Sequence, residues 1–184
     1  MQVVDTEIPE VKILIPMVFG DDRGFFFESY NQRSVKEAGI NQTFVQDNHS
    51  RSIKNTLRGI HYQIQNPQGK LVRVTQGSVY DVAVDLRKKS PTFGQWAAVE
   101  LSADNHKMLW VPAGFGHAFL VTSDSAEFLY KTTDFYSPAD ERCIAWNDPT
   151  LNISWPINGS PLVSKKDEVG TPFNKAEVYS SPVL

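Results

Sequence analysis

The stretch LRGIHYQIQNPQGKLVRV, from Leu57 to Val74, has the pattern of two β-strands separated by a turn. β-branched and aromatic residues recur with period two on both sides of NPQG, which has the Pro and Gly placement of a tight turn joining neighbouring strands. Similar stretches recur along the chain, among them VKILIP, SVYDVAVDL, QWAAVEL and HAFLVTS, with turn sequences between them. Many short strands with hardly a helix predict an all-β fold of the sandwich, jelly-roll or barrel kind.

The organisation along the chain predicts one domain. A length of 184 residues suits a single domain with a proper core. The one convincing helical stretch is NQRSVKEAGI, in which Gly39 is a suitable terminator. Periodicity weakens after about Leu151. We therefore expect a single domain over 1–184, with a β-core over about 1–150 and a C-terminal segment over about 151–184 that wraps the core as irregular segments or short helices.

Composition argues against several classes of function. The net charge of -3 and the lack of a Lys/Arg run leave no basic surface for a nucleic acid. One cysteine, Cys143, allows no intrachain disulfide framework and fits a reducing compartment. The N-terminus lacks the pattern of a signal peptide, and no apolar run is long enough for a membrane span. We expect a cytoplasmic protein whose partners are neither nucleic acids nor membranes.

His61 is the most informative of the four histidines because of its neighbours. A lone histidine in an apolar strand is usually a hydrogen-bonded structural residue. His61, however, lies three residues after Arg58 and just across NPQG from Lys70. In a regular strand Arg58 and His61 point to opposite faces, because an odd number of positions separates them. A bulge at Gly59 would bring both to one face, and bulges are common beside active sites.

The stretch PAGFGH, from Pro112 to His117, resembles the second motif of the cupins, in which a turn delivers a histidine into a small jelly-roll barrel. In metal-binding cupins an earlier strand supplies two more histidines and a glutamate. Here that strand reads GIHYQIQNPQGK, with Gln63 in place of the second histidine and no glutamate after it. We therefore predict a barrel without the cupin metal site, one that needs neither a metal nor a cofactor for its activity.

His61 and Lys70 together suit proton abstraction next to a carbonyl group. A neutral histidine is a good base near pH 7, and a lysine ammonium stabilises an oxyanion. A carboxylate would orient His61 and stabilise its imidazolium. The candidates are Asp81 and Asp85, which share one face of SVYDVAVDL, and Asp167 in the tail. The sequence SKKD around Asp167 also matches a helix-capping pattern.

Aromatic residues form the other group of candidates. Tyr130 and Tyr136 of EFLYKTTDFY could act as the acid on the far side of a substrate, although most strand tyrosines serve packing. GDDRGFFFESY has three consecutive phenylalanines between Arg23 and Glu28. Three neighbours in a strand cannot all face one core. At least one is expected to be exposed or to meet another aromatic group, such as a nucleotide base or a second subunit.

Long motifs spread from about Val18 to Asp167 closely resemble the dTDP-4-dehydrorhamnose 3,5-epimerases: FGDDRGFFFESYN, FVQDNHS, LRGIHYQ, QGKLVRV, WVPAGFGHAF and EFLYKTTDFYSPADE. The resemblance implies a homodimeric cupin jelly roll without metal or organic cofactor, in which the strand Arg23–Tyr30 crosses to the partner subunit. The substrate implied is dTDP-4-dehydro-6-deoxy-glucose. It would be inverted at C3 and C5 to give dTDP-4-dehydrorhamnose, a rhamnose precursor.

The resemblance also implies roles for individual residues. His61 resembles the base, Asp167 its carboxylate partner, Tyr130 the acid on the opposite face, and Lys70 the group that steadies the enolate oxygen. The residues implied to bind the substrate are Arg23, Phe26, Glu28, Gln46, Asn48, Arg58, His117, Tyr136, Glu141 and Lys166.

Other functions stay open at this point. A relative could invert only one carbon of a related dTDP-sugar, or act on it as a ketoisomerase. A sugar-binding cupin without catalysis would bind ligand without letting solvent deuterium enter the sugar. The missing second histidine and glutamate argue against a metal-dependent cupin oxygenase.

Overall fold

The computed structural model describes residues 1–180 and 183, and over these residues it contains thirteen strands, two short α-helices and one 3-10 helix. The strands are β1 (Gln2–Asp5), β2 (Lys12–Ile15), β3 (Phe19–Asp21), β4 (Gly24–Phe26), β5 (Gln46–Ile53), β6 (Leu57–Gln63), β7 (Lys70–Gln76), β8 (Ser78–Asp85), β9 (Trp96–Ser102), β10 (Met108–Val111), β11 (Phe115–Val121), β12 (Ser125–Thr132) and β13 (Glu141–Cys143). The helices are α1 (Gln32–Glu37), α2 (Lys165–Glu168) and the 3-10 helix Phe173–Lys175.

Two antiparallel sheets face each other across an apolar interior. The six-stranded sheet has the order β1-β2-β10-β7-β12-β5, and the five-stranded sheet has the order β13-β6-β11-β8-β9. β3 and β4 form a separate hairpin. The predicted all-β jelly roll with short helices is thereby confirmed.

Strand alternation decides which side chains of β8 face the interior. Val79 and Ala83 pack there against residues of both sheets. Val82 and Val84 face outward, toward the C-terminal segment. Since successive strand residues point to opposite faces, Asp81 lies on the interior face with Val79 and Ala83. The strand therefore carries a carboxylate into the apolar space between the sheets.

An irregularity in β6 lies at the predicted position, Gly59. β6 and β11 pair with His61 opposite His117 and with Arg58 opposite Phe119, so β6 has one residue more than its partner between these pairs. Gly59 has φ 116°, and a Cβ there would lie 2.5 Å from the backbone oxygen of His117. Only glycine fits this position. As a result Arg58 and His61 border the same cavity.

The prediction that NPQG joins neighbouring strands is wrong. β6 belongs to the five-stranded sheet and β7 to the six-stranded sheet, so the connection over residues 64–69 crosses between the sheets. Turn residues show that the chain changes direction but do not determine which sheet the next strand joins. Lys70 therefore lies on the sheet that faces His61 instead of on a strand beside it.

Helix α1 covers the outer face of the six-stranded sheet. It begins after Asn31, whose side chain accepts a hydrogen bond from the Arg33 N–H at 3.0 Å. It ends before Gly39, which has φ 86° as expected of a terminator. Val35 packs against Leu71 of the sheet.

The segment after Leu151 lies against the outer face of the five-stranded sheet. It contains α2 and the 3-10 helix, and it packs Leu151 and Tyr179 against Ile60. Residues 181, 182 and 184 of the predicted wrapping segment lie outside the described residues, and the single-domain organisation over 1–184 stays a prediction. Along the described ranges, no helix has both the length and the apolar character to cross a membrane.

Candidate active site

A cavity of about 280 Å³ is lined by ionisable groups from both sheets. Arg58, His61 and His117 come from the five-stranded sheet, whereas Lys70 and Tyr130 come from the six-stranded sheet. All five residues were candidates on sequence grounds, and the structure brings them together. An imidazole and a phenol consequently border the same space from facing sheets.

His61 is paired with Asp167 of α2, through the imidazole Nε2 and the carboxylate Oδ1. Asp167 is buried, and its Oδ2 accepts a hydrogen bond from the Ser164 hydroxyl at 2.8 Å. Burial opposes ionisation of Asp167, but the hydrogen bond and charge of His61 outweigh burial and hold the pKa of this carboxyl below its usual value. The pair is therefore poised to stabilise a positive charge on His61.

The capping interpretation of SKKD is also correct. Ser164 is the N-cap of α2, and its hydroxyl accepts a hydrogen bond from the Asp167 N–H at 3.2 Å. One serine thus starts the helix and holds the carboxylate that meets His61. The sequence pattern did not reveal this second role of Ser164, because its partner His61 lies on a distant strand.

Lys70 is buried at the start of β7 and lines the cavity. Burial lowers the pKa of its ammonium to about 8, although the charges of Asp81 and Glu141 act in the opposite direction. A cation held away from water interacts strongly with a negative charge that develops nearby. Lys70 is therefore suited to stabilise an oxyanion.

Tyr130 stands on β12, directly opposite Asn48 of β5, and both residues line the cavity. The tyrosine ring packs against the interior cluster, with its centroid 6.0 Å from that of Phe128. Burial raises the pKa of the Tyr130 phenol, and the positive charge of Arg58 partly offsets that effect. The phenol therefore stays protonated near neutral pH and can donate a proton.

Asp81, one of the candidate partners of His61, is instead paired with His117. The His117 Nε2 lies 2.8 Å and 3.1 Å from the two carboxylate oxygens, and both side chains are buried. Asp85, on the same strand face, accepts hydrogen bonds from the loop that follows β8. Of the three carboxylates that the sequence left open, two on β8 and one in the tail, Asp167 is the one that contacts His61.

Four of the predicted substrate-binding residues form one polar network near His61. The Tyr136 hydroxyl donates to Glu141 at 2.7 Å, and the Lys166 Nζ lies 2.5 Å from the same carboxylate. Gln46 accepts a hydrogen bond from the Tyr136 N–H at 3.1 Å. Burial opposes ionisation of Glu141, but the hydrogen bonds from Lys166 and Tyr136 outweigh it and lower its pKa.

Gln63 holds this network in place. Its buried side chain donates to the Phe135 carbonyl at 3.2 Å and accepts from the Ser137 N–H at 2.8 Å. The residue that stands where a metal-binding cupin has a histidine thus fixes the loop that carries Tyr136. Strand pattern alone could not reveal this role, since the partners lie more than 70 residues away along the chain.

The His61 cavity is not lined by Arg23, Phe26 or Glu28 of the same chain, and Arg23 and Phe26 line a separate surface pocket of the hairpin. Arg23 forms an ion pair with Asp21 within the hairpin, at 2.6 Å. Phe26 is 68% exposed and its neighbour Phe25 is 65% exposed. The expectation that at least one residue of the phenylalanine run is exposed is confirmed.

The cavity geometry suits proton transfer on two sides of one bound molecule. With Nε2 of His61 held by Asp167, Nδ1 is the nitrogen available to accept a proton. Tyr130 can supply a proton from the facing sheet, and Lys70 can stabilise the anion formed between these two steps.

Known proteins are similar to this chain in sequence and in fold. The family model described as dTDP-4-dehydrorhamnose 3,5-epimerase matches residues 5–175. The enzymes of that name from Pseudomonas aeruginosa and Salmonella typhimurium are 59% and 56% identical to the chain, covering 97% and 96% of it and 99% and 97% of their own lengths. A crystal structure of a dTDP-6-deoxy-D-glucose-3,5-epimerase from Legionella pneumophila, in complex with dTDP-4-keto-L-rhamnose, superposes with a TM-score of 0.96 at 46% identity and covers 99% of both chains.

Proposed function

The chain belongs to the dTDP-4-dehydrorhamnose 3,5-epimerase family, an isomerase family acting on dTDP-sugars, and we propose that it inverts C3 and C5 of its ketosugar with His61 as the base and Tyr130 as the acid. The observation that carries this assignment is the position of the two side chains on facing sheets around one cavity. Inversion removes a proton from one face of a carbon and returns one to the other face. Two groups on opposite sides of the sugar are therefore required.

The first step is proton removal next to the C4 ketone. The ketone acidifies the hydrogens on both neighbouring carbons, C3 and C5, so one base can serve both if the sugar ring adjusts between the steps. His61 takes the proton at Nδ1, and Asp167 stabilises the imidazolium that forms. The electron pair of the C–H bond moves onto the ketone oxygen, where the Lys70 ammonium stabilises the enolate.

The second step is proton return from the other side. The Tyr130 hydroxyl gives its proton to the enolate carbon, which restores the ketone and leaves a phenolate. His61 must then lose its proton to solvent and Tyr130 must regain one before the next inversion. Each inversion consequently exchanges a carbon-bound hydrogen of the sugar with water.

Binding of the substrate follows from the charges of the site. Arg58 of the cavity and Lys166 beside it suit the diphosphate through charge-assisted hydrogen bonds. An exposed ring such as Phe26 can stack on thymine, a contact worth about 1–3 kcal/mol in nucleic-acid sites.

We also propose a homodimer in which the strand Arg23–Tyr30 crosses to the partner subunit. The exposure of Phe25 and Phe26, and the absence of hairpin residues from the lining of the His61 cavity, support this arrangement. The crossing would bring Arg23, Phe26 and Glu28 to the substrate of the partner. A lone cysteine further supports a cytoplasmic location.

Incubation with the sugar nucleotide in deuterated water tests the proposal. Wild-type protein should incorporate deuterium at both C3 and C5, read at each carbon by NMR. His61→Asn should abolish exchange at both carbons, since it removes the base. Tyr130→Phe should still exchange at least one proton without full inversion, since the base remains.

The outcomes separate the alternatives. Label at one carbon only would identify a single-carbon epimerase, and binding without label would identify a non-catalytic sugar-binding protein. Unimpaired exchange in His61→Asn would overturn the assignment of the base.

A further inference from the structure

The proposed reaction leaves one nucleophilic side chain beside the base without a role. Cys143 of β13 lies directly opposite His61 of β6 in the antiparallel register. Its Sγ lies 3.5 Å from the Asp167 Oδ1 that also meets His61. One possible ligand atom from each of the three residues lies within 4.8 Å of the others. Three elements, β6, β13 and α2, therefore bring an imidazole, a thiol and a carboxylate to one point.

We propose that His61, Cys143 and Asp167 bind a divalent cation of the zinc class and that the bound cation inhibits the epimerase. The binding stands on the side-chain cluster alone. The inhibition rests on the proposed role of His61 as the base. The cation would be an inhibitor of the reaction and not a cofactor.

The spacing of the three side chains suits zinc. Zinc–ligand distances of about 2.0–2.3 Å place the donor atoms of a tetrahedral site about 3.3–3.7 Å apart. The thiol and the carboxylate already have this separation, at 3.5 Å. Side chains directly opposite in an antiparallel pair have Cβ atoms about 5 Å apart, so His61 and Cys143 can share one ion. The imidazole has only to move away from Asp167 as the cation replaces the proton between them.

The donor types select the kind of cation. A thiolate, an imidazole and a carboxylate suit zinc and cobalt, and the two anionic groups neutralise the divalent charge. The thiol proton leaves to solvent when the thiolate binds. Magnesium and calcium prefer oxygen ligands and should not compete. A second cavity of about 330 Å³ borders two of the three ligands, His61 and Asp167, and is also lined by the cationic side chains Arg58 and Lys166.

A cation bound to His61, Cys143 and Asp167 would stop the reaction at its first step, the removal of the sugar proton. The cation takes the Nε2 position of His61, and the ring proton moves to Nδ1. The nitrogen that must accept the sugar proton then has no lone pair. Asp167, bound to the cation, can no longer stabilise an imidazolium on His61.

Cobalt provides a test that does not depend on activity. Since Cys143 is the one cysteine of the chain, a thiolate-to-cobalt charge-transfer band in the near ultraviolet can arise from no other residue. Titration of the substrate-free protein with Co²⁺ should give this band with one ion per chain, and Zn²⁺ should remove it. Cys143→Ser should lack the band. Glu127→Gln, which changes the His49–Glu127 pair on the surface, should keep it.

Inhibition is measured separately, by deuterium exchange at increasing Zn²⁺. Wild-type inhibition should be reversed by a chelator, and Cys143→Ser should need at least about tenfold more zinc. Equal inhibition of the two proteins, or a cobalt complex without the charge-transfer band, would overturn the proposal. If Cys143→Ser does not fold, X-ray absorption of the wild-type zinc complex decides, because it must show one sulfur at about 2.3 Å. A cobalt band without inhibition would overturn the proposed inhibition, whereas the role of His61 as the base is tested separately by exchange in His61→Asn.

Discussion

Replacement of Lys70 by methionine should stabilise the protein and inactivate it at the same time. Burial lowers the pKa of the Lys70 ammonium from 10.5 to about 8. The folded protein therefore holds this ammonium at a cost in free energy whenever the pH is below about 8. At about 1.4 kcal/mol per pKa unit, the cost is about 3 kcal/mol. Lys70→Met removes the charge, keeps most of the side-chain length, and should unfold at higher denaturant concentration at pH 7.

The difference in stability between wild type and Lys70→Met should change with pH in a definite direction. Between about pH 8 and 10.5 the unfolded chain binds a proton at Lys70 that the folded protein has lost, so the stability contributed by this residue rises with pH. The advantage of Lys70→Met should therefore shrink across this window and vanish above it. Urea unfolding of both proteins at several pH values measures the difference. Lys54→Met, at an exposed lysine, is the control and should show no such trend.

The activity of Lys70→Met should fall although its stability rises. A pKa near 8 leaves Lys70 about nine-tenths protonated at pH 7 and about one-tenth at pH 9, so a rate that needs the ammonium falls roughly tenfold between them. Loss of one oxyanion-stabilising group costs about 100- to 1000-fold in kcat. Lys70→Met should show that loss, without the decline above pH 8. The reasoning is refuted if the variant is less stable than wild type at pH 7 by a pH-independent amount, or if the alkaline decline in kcat persists.

Three other substitutions test the supports of the site. Gly59→Ala should lower the free energy of unfolding in urea by more than about 2 kcal/mol and also lower kcat, because the added Cβ meets the His117 backbone. The control Gly159→Ala, at a positive φ with nothing within 4 Å, should lower it by only about 1–2 kcal/mol, and equal losses would contradict the clash. Ser164→Ala should lower the free energy of unfolding by about 1 kcal/mol and also lower kcat, because Asp167 loses a hydrogen-bond donor. Ser164→Thr should keep both the stability and kcat, and an unchanged kcat in Ser164→Ala would show that the cap does not contribute to catalysis. Replacement of Phe26 by serine should raise KM and shift sedimentation from dimer toward monomer, and an unchanged mass and KM would argue against the crossing hairpin.

The parts of the fold that depend on local pattern could be predicted from the sequence. Period-two stretches predicted the strands, and the odd spacing of Arg58 and His61 predicted the irregularity at Gly59. The same alternation placed Asp81 and Asp85 on one face of β8. Each of these features is decided by residues that are close together in the sequence, within a single strand.

The parts that depend on the assembly of the sheets could not be predicted locally. NPQG indicates a turn in the chain, but the assignment of β6 and β7 to different sheets follows from the pairing of all the strands. Likewise, Asp81 meets His117 instead of His61 because of the register between β8 and β11. The pairing of His61 with Asp167 spans 106 residues, and only the family resemblance selected Asp167 from the three candidate carboxylates.

The long separation of His61 and Asp167 along the chain has a consequence for biosynthesis. When the barrel strands have left the ribosome, the growing polypeptide already carries Lys70, Tyr130 and the imidazole around their cavity. The carboxylate that completes the base arrives only with α2, 106 positions after His61. A chain that has been made as far as β13 would therefore carry His61 without its carboxylate, and the proposed inversion would depend on the segment that follows β13.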